Sequence, residues 1–304
     1  MIVDILVTVI AAATPLLFAA TGELVAERAG VLNLGVEGMM IVGAVAAFAV
    51  TLTTGSATLG IAAAALAGLV LALAFGVLTL TLLSNQVATG LALTIFGLGL
   101  SSLAGANFVG RPVAKLPELD IAGLSDLPVL GPLLFGHDVL VYLAVAATFG
   151  VAWFLKYARA GMILRAVGEN ADSAHAIGYD VIRVRYMAVL FGGAMAGLGG
   201  AFLSLSYTPM WIEGMTAGRG WIALALVVFA SWRPLRVLAG AYLFGGVTIL
   251  QLYAQGAGGI GIPTQFLSML PYLATILVLT LIAAGRGRRL DAPAGLGKPF
   301  RAAG

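Results

Sequence analysis

The residues able to do chemistry are few, and they are neutral amides, hydroxyls and isolated carboxylates rather than catalytic clusters. Asn33 and Glu37 open an apolar run four positions apart, which places them on one face if the segment is helical. A polar group at membrane depth costs free energy unless it is paired or lines a wet path. Glu37 is therefore a candidate to accept a hydrogen bond from a solute hydroxyl or from a neighbouring backbone break. Asn85, Gln86 and Thr89 begin another run and carry the same two readings, helix cap or solute pathway. There is no cysteine, which excludes thiolate metal sites, disulfides and thiol nucleophiles in this chain. Its two histidines, His137 and His175, fall in connecting stretches, so neither a metal pair nor a serine–histidine pair at membrane depth is expected. The string GLGKPF at Gly295–Phe300 has proline where the phosphate-cradling loop GxxxxGK needs Ser or Thr, so the chain carries no ATPase motif of its own.

The elements that must position these residues follow from hydropathy. Of 304 residues, 61% are hydrophobic and 10% charged, with a mean hydropathy of +1.06. A soluble globule this apolar would precipitate. No charged residue or histidine occurs from Gly38 to Gly110, from Tyr186 to Ile212 or from Val237 to Gly285. A hydrocarbon core about 30 Å thick takes about 20 apolar residues per helix, so the longest of these runs cross it more than once. The sequence predicts an all-α, polytopic transmembrane helix bundle of about nine segments, with eight or ten as alternatives. They run roughly Val3–Ala20, Leu34–Thr54, Leu59–Leu83, Val87–Ala106, Val139–Leu155, Tyr186–Tyr207, Trp221–Trp232, Leu235–Ala254 and Phe266–Ala284. The seventh is too short to span comfortably and Gly and Pro interrupt others, so broken or re-entrant helices are expected. Residues 1–304 read as one transmembrane domain, with an inward-facing connector at 157–185 and a cytoplasmic tail at 286–304. The amino-terminal stretch has Asp4 and no positive n-region, so it reads as a retained helix rather than a signal peptide.

Nine segments put thirteen of the Lys and Arg residues in inside segments and only Arg111, Lys115 and Arg219 outside. The pI near 9.3 thus reflects membrane topology, and no nucleic-acid binding is expected. Small residues in GGAMAGLGGAF (Gly192–Phe202), with Gly193 and Gly197 four apart, suit close helix contact. Gln251, Tyr253 and Gln255 fall near an outer helix end, and Trp211, Trp221 and Trp232 suit interfacial belts. The connector, from Tyr157 to Arg185, is too long for a turn. Asn170 can cap a short helix with Asp172 in its first turn, and Gly178 can end it in the left-handed conformation.

The connector string RAVGENADSAHAIGYDVIRVR, followed by GGAMAGLGGAF, resembles the cytoplasmic coupling region of permeases in ATP-binding cassette (ABC) importers. More narrowly, ERAGVLNLGVEGMMIVGA (Glu27–Ala44) and SNQVATGLALTIFGLGL (Ser84–Leu100) resemble permeases for nucleosides and simple sugars, which are related to ribose and branched-chain amino-acid permeases. The resemblance implies an importer subunit of the inner, cytoplasmic membrane. Its implied partners are an ABC ATPase that uses ATP on the cytoplasmic side, an extracytoplasmic solute-binding protein and a second homologous permease, alongside membrane lipid. No cofactor is expected in the chain itself. The resemblance places Gly168, Glu169, Asn170, Ala174 and Gly178 at the ATPase contact, and the region of Asn85, Gln86 and Thr89 along the pathway. A branched-chain amino-acid permease is the nearest alternative. A secondary transporter needs ionisable groups at membrane depth, where Glu37 alone is expected, and a passive channel leaves the connector unexplained.

Overall fold

The computed structural model describes residues 2–256 except 120–122 and 126, isolated residues between 266 and 280, and the segment 292–301. The expected ninth span, Phe266–Ala284, and the first part of the tail lie largely outside these. Ten α-helices are described: α1 (Ile2–Arg28), α2 (Val36–Thr54), α3 (Ala57–Gly76), α4 (Gln86–Gly105), α5 (Val139–Tyr157), α6 (Arg159–Glu169), α7 (Ala171–Ala176), α8 (Val181–Phe202), α9 (Arg219–Phe229) and α10 (Pro234–Gly256). α3 and α8 each end in a π-helical turn, Val77–Thr81 and Leu203–Tyr207. Among the described residues seven helices are long and apolar enough to cross a membrane, and α9 is the short one.

Helix ends follow local chemistry. Ser56, Asn85, Asp138 and Asp180 each sit in extended backbone before a helix and accept a hydrogen bond from an amide two or three residues on. Gly55 closes α2 with φ +72°, a conformation available to glycine without strain.

The apolar runs sort themselves by side-chain size. α2 and α8 form the centre, 72% and 78% buried over their spans, whereas α4 and α10 are 28% buried and present Leu, Ile and Phe outward. The central contacts depend on missing side chains. A Cβ at Gly193 would lie 2.5 Å from the Gly68 carbonyl oxygen, and one at Gly197 would lie 2.1 Å from that of Ala64. Gly43 faces Gly197 from α2 at similar range. These glycines bring the backbones of α2, α3 and α8 into direct contact.

One end of the bundle gathers the α1–α2 turn, the connector α6–α7, the α9–α10 turn and the segment 292–301. Arg28 donates to the Trp232 carbonyl at 2.9 Å, and Gly295 N donates to Gly168 O at 2.9 Å. The opposite end joins the loop after α4 to the stretch after α8 through bridges of Val109 with Trp211 and Pro112 with Met210. Alternation of the helices between these ends puts the basic-rich segments at the first and the Pro-rich loop at the second.

Trp211 and Trp232 depart from the expected interfacial placement. Trp211 is fully buried where Gly105 leaves room for its indole, and Trp232 is buried with its Nε1 donating to Glu27. The Trp232 indole can be buried because its N–H finds a partner inside the bundle, whereas Trp211 fills the space left by Gly105. Trp221 is half exposed.

Candidate functional site

Two polar zones emerge: the connector at the basic end, and a set of backbone breaks that reach into the bundle. In the connector, Asn170 ends α6 and caps α7, its Oδ1 accepting from Ser173 N at 2.9 Å. Asp172 lies in the first turn of α7, and Gly178 follows with φ +93°. Ala174 turns inward against Val167, Val181 and Phe300. Gly168 lies flat on the α1–α2 turn, where a Cβ would come 2.0 Å from the Arg28 carbonyl oxygen. Glu169 is exposed and its Oε2 accepts from Ala294 N at 3.2 Å. The outward side of α7 presents Asp172, Ser173, His175 and Ala176. Beyond it stands Ile177, 72% exposed. It is a single exposed apolar side chain among polar neighbours rather than a contiguous apolar patch. Its position just before the helix-ending Gly178 is the one local signal for Ile177 in the sequence.

The breaks use most of the other polar side chains to hold backbone. Asn33 precedes α2 instead of sharing its face with Glu37, because its Oδ1 accepts from Gly35 N at 2.9 Å and turns the chain before the helix starts. Gln86 Oε1 accepts from Leu32 N, and Glu23 Oε1 accepts from Asn33 N, both at 2.9 Å, so two side chains grip adjacent residues of the same turn. Asn85 caps α4, accepting from Ala88 N, and Thr89 pairs with Ser84 at 2.8 Å.

Glu37 meets the start of α9. Its Oε1 accepts from Gly218 N at 2.8 Å and its Oε2 from Gly220 N at 2.6 Å. A carboxylate here satisfies amides that α9 cannot pair internally and suits the positive end of the helix dipole. At about 1.5 Å per residue, α9 covers about 16 Å, half the hydrocarbon thickness. The Glu37 junction thus lies about 16 Å along the helix axis from the other end of α9, which is at the basic end of the bundle. Ser231 and Trp232 reverse the chain there at φ 50° and 53°, held by the Arg28 and Glu27 contacts.

Glu23 and Glu27 were missed as interior groups, because the first span was expected to end at Ala20. The helix continues to Arg28 through GELVAER, and both carboxylates are buried. Glu37 is therefore not alone at depth. Each of the three carboxylates is anchored to a backbone amide or an indole, as structural groups are. Among the described residues, Glu23 Oε2 and Gln86 Nε2 are the buried amide or carboxylate atoms without a partner, one acceptor and one donor. No group of three or more His, Cys, Asp or Glu suited to a metal occurs among them.

The structure thus joins Gly168, Glu169, Asn170, Ala174 and Gly178 in one connector, and joins Asn33 with Gln86 at one break. Glu37 stands at a separate junction, while Asn85 and Thr89 lie at the mouth of α4. No solved structure matches the chain. The family model for the permease component of branched-chain amino acid transport systems matches residues 5–279. TsgC13 of Haloferax volcanii, an ABC transporter permease protein with a provisional assignment to glucose, is 44% identical over 88% of each chain. The guanosine ABC transporter permease protein NupQ of Bacillus subtilis is 33% identical over 95% of this chain and 93% of its own length. The nucleoside ABC transporter permease protein NupC of Lactococcus lactis is 32% identical over 88% of each.

Proposed function

The chain belongs to the family of branched-chain amino acid transport permease components, and from that premise we propose that it is the membrane-spanning subunit of an ABC importer for a nucleoside or simple sugar. It is a multi-pass protein of the cell membrane and a transport component. The observation that carries the solute class is similarity along nearly the whole chain to permeases named for guanosine, nucleosides and glucose. The family implies an ATPase and a solute-binding protein. In this reading the ATPase consumes ATP and docks on α7 through Ile177 and the residues around Gly168–Gly178. A second, homologous permease completes the pore as a heterodimer.

The mechanism follows from where α7 rests. Closure of the ATPase pair presses α7, and the load passes through Gly168 into the α1–α2 turn and through Ala174 into the base of α8. Tilting of these helices exposes the pathway alternately to each side. At the α1–α2 break, Gln86 Nε2 and Glu23 Oε2 retain one donor and one acceptor, a pattern that suits a hydroxyl. Asn85 and Thr89 border the same route from the mouth of α4.

The test is reconstitution of the permease pair with its ATPase and binding protein in liposomes. Labelled guanosine, glucose and leucine are offered with ATP or a non-hydrolysable analogue. Uptake of guanosine or glucose only with ATP is expected. Leucine uptake moves the assignment to branched-chain amino acids, the solute in the family's name, and uptake indifferent to nucleotide refutes the importer reading.

A further inference from the structure

The segment 292–301 carries no motif that the proposed function uses, yet it is fastened at several points to the parts that would transmit force. Gly295 N donates to Gly168 O at 2.9 Å, and Gly297 N donates to Gly30 O at 3.1 Å. Ala294 N donates to Glu169. Arg185, buried at the base of α8, donates to Ala29 O at 3.2 Å and to Lys298 O at 3.0 Å, tying the α1–α2 turn to the segment. Phe300 fills the space beneath α7, buried with Val167, Ala174 and Val181 and edge-on to His175 at 5.5 Å between ring centres.

These contacts have a mechanical meaning. A six-residue helix does not hold its shape alone, because helix nucleation costs more than one turn returns. α7 is firm because its inner face rests on Phe300 and its capping residues connect to packed helices. The segment touches both the connector and the α1–α2 turn, so the connector cannot be displaced by itself: it either carries the turn with it or breaks these hydrogen bonds.

We infer that segment 292–301, clamped by Arg185 and seated by Phe300, is a strap that positions the coupling helix and makes α7 and the α1–α2 turn move as one. This rests on the importer reading for what pushes α7. Arg185 and Phe300 are positioning residues, acting through the connector rather than on solute.

The test uses the full transporter in liposomes, comparing wild type with Phe300→Ala, Arg185→Lys and a chain lacking residues 292–304, and reads both ATP hydrolysed and solute moved. The strap predicts that assembled variants still hydrolyse ATP while solute moved per ATP falls by roughly 5-fold or more, the lower end of typical coupling between sites. A purely structural role lowers the yield of assembled complex and leaves that ratio unchanged, which overturns the inference. A second arm does not depend on those variants folding. The cysteine-free chain takes the pair Glu169→Cys and Ala294→Cys, and the same double variant is assayed before and after a short thiol cross-linker. Efficient cross-linking with uptake retained supports a strap that stays closed through the cycle. Failure to cross-link in the assembled transporter, or uptake abolished by the cross-link, overturns it. Nucleotide-independent uptake by wild type sinks the importer reading instead, and leaves the cross-linking result to be judged by itself.

Discussion

Replacing Glu37 by glutamine separates a carboxylate that holds backbone from one that contacts solute. The native side chain accepts two hydrogen bonds, from Gly218 N and Gly220 N, at the start of α9. Hydrogen bonds to a charged group are worth about 1.5–3 kcal/mol each, and a carboxylate at a helix start adds up to about 1 kcal/mol. Glutamine keeps one acceptor, turns an NH2 toward the other amide and removes the charge. A loss of about 2–4 kcal/mol follows from these figures. At about 2–4 °C per kcal/mol for chains of comparable size, the melting temperature should fall by about 4–16 °C. Glu37→Ala should fall further, since both amides are left without a partner. Thermal melts of the purified permease in detergent measure this, with uptake kinetics as the second readout. Both variants lower the amount of active transporter while the KM of the surviving fraction stays near wild type. A glutamine variant that melts within about 1 °C of wild type and shows a raised KM would refute the clamp and make Glu37 a solute contact.

Other changes test the remaining contacts. Asn170→Ala removes the cap of α7, worth about 1 kcal/mol, and should weaken co-purification of the ATPase several-fold with little change in melting temperature. Ile177→Ser should do the same through the docking surface, with a stability change within about 0.5 kcal/mol because the residue is exposed. Gly197→Val inserts a branched side chain where even a Cβ falls 2.1 Å from the Ala64 carbonyl oxygen, and membrane-extracted protein should be largely lost or aggregated on size exclusion.

The bundle was legible because hydrophobicity accumulates over long stretches, and no tertiary contact can reverse a charge-free run of seventy residues. The Asn170–Gly178 helix was legible for the opposite reason, since its cap and its left-handed end are decided within a few residues. What escaped the sequence depends on distant partners. Glu23 and Glu27 look like the polar edge of the first span until Asn33 and Trp232 close over them. Trp211 looks interfacial until Gly105 makes room for it. Asn33 and Glu37 have helical spacing, yet the Asn33 side chain bonds its own backbone and delays α2. The strap contacts have no local signal at all, because Gly295 and Gly168 are ordinary glycines more than a hundred residues apart.

α9 is fastened at its first turn to α2 through Glu37, and at its other end to α1 through Glu27 and Arg28. A rod pinned at both ends to one hairpin has no pivot of its own. Whatever gate opens in this subunit, α9 must travel as cargo of α1 and α2. Spin labels at the two ends of α9 should therefore keep a constant separation from that hairpin while distances to α4 and α10 change.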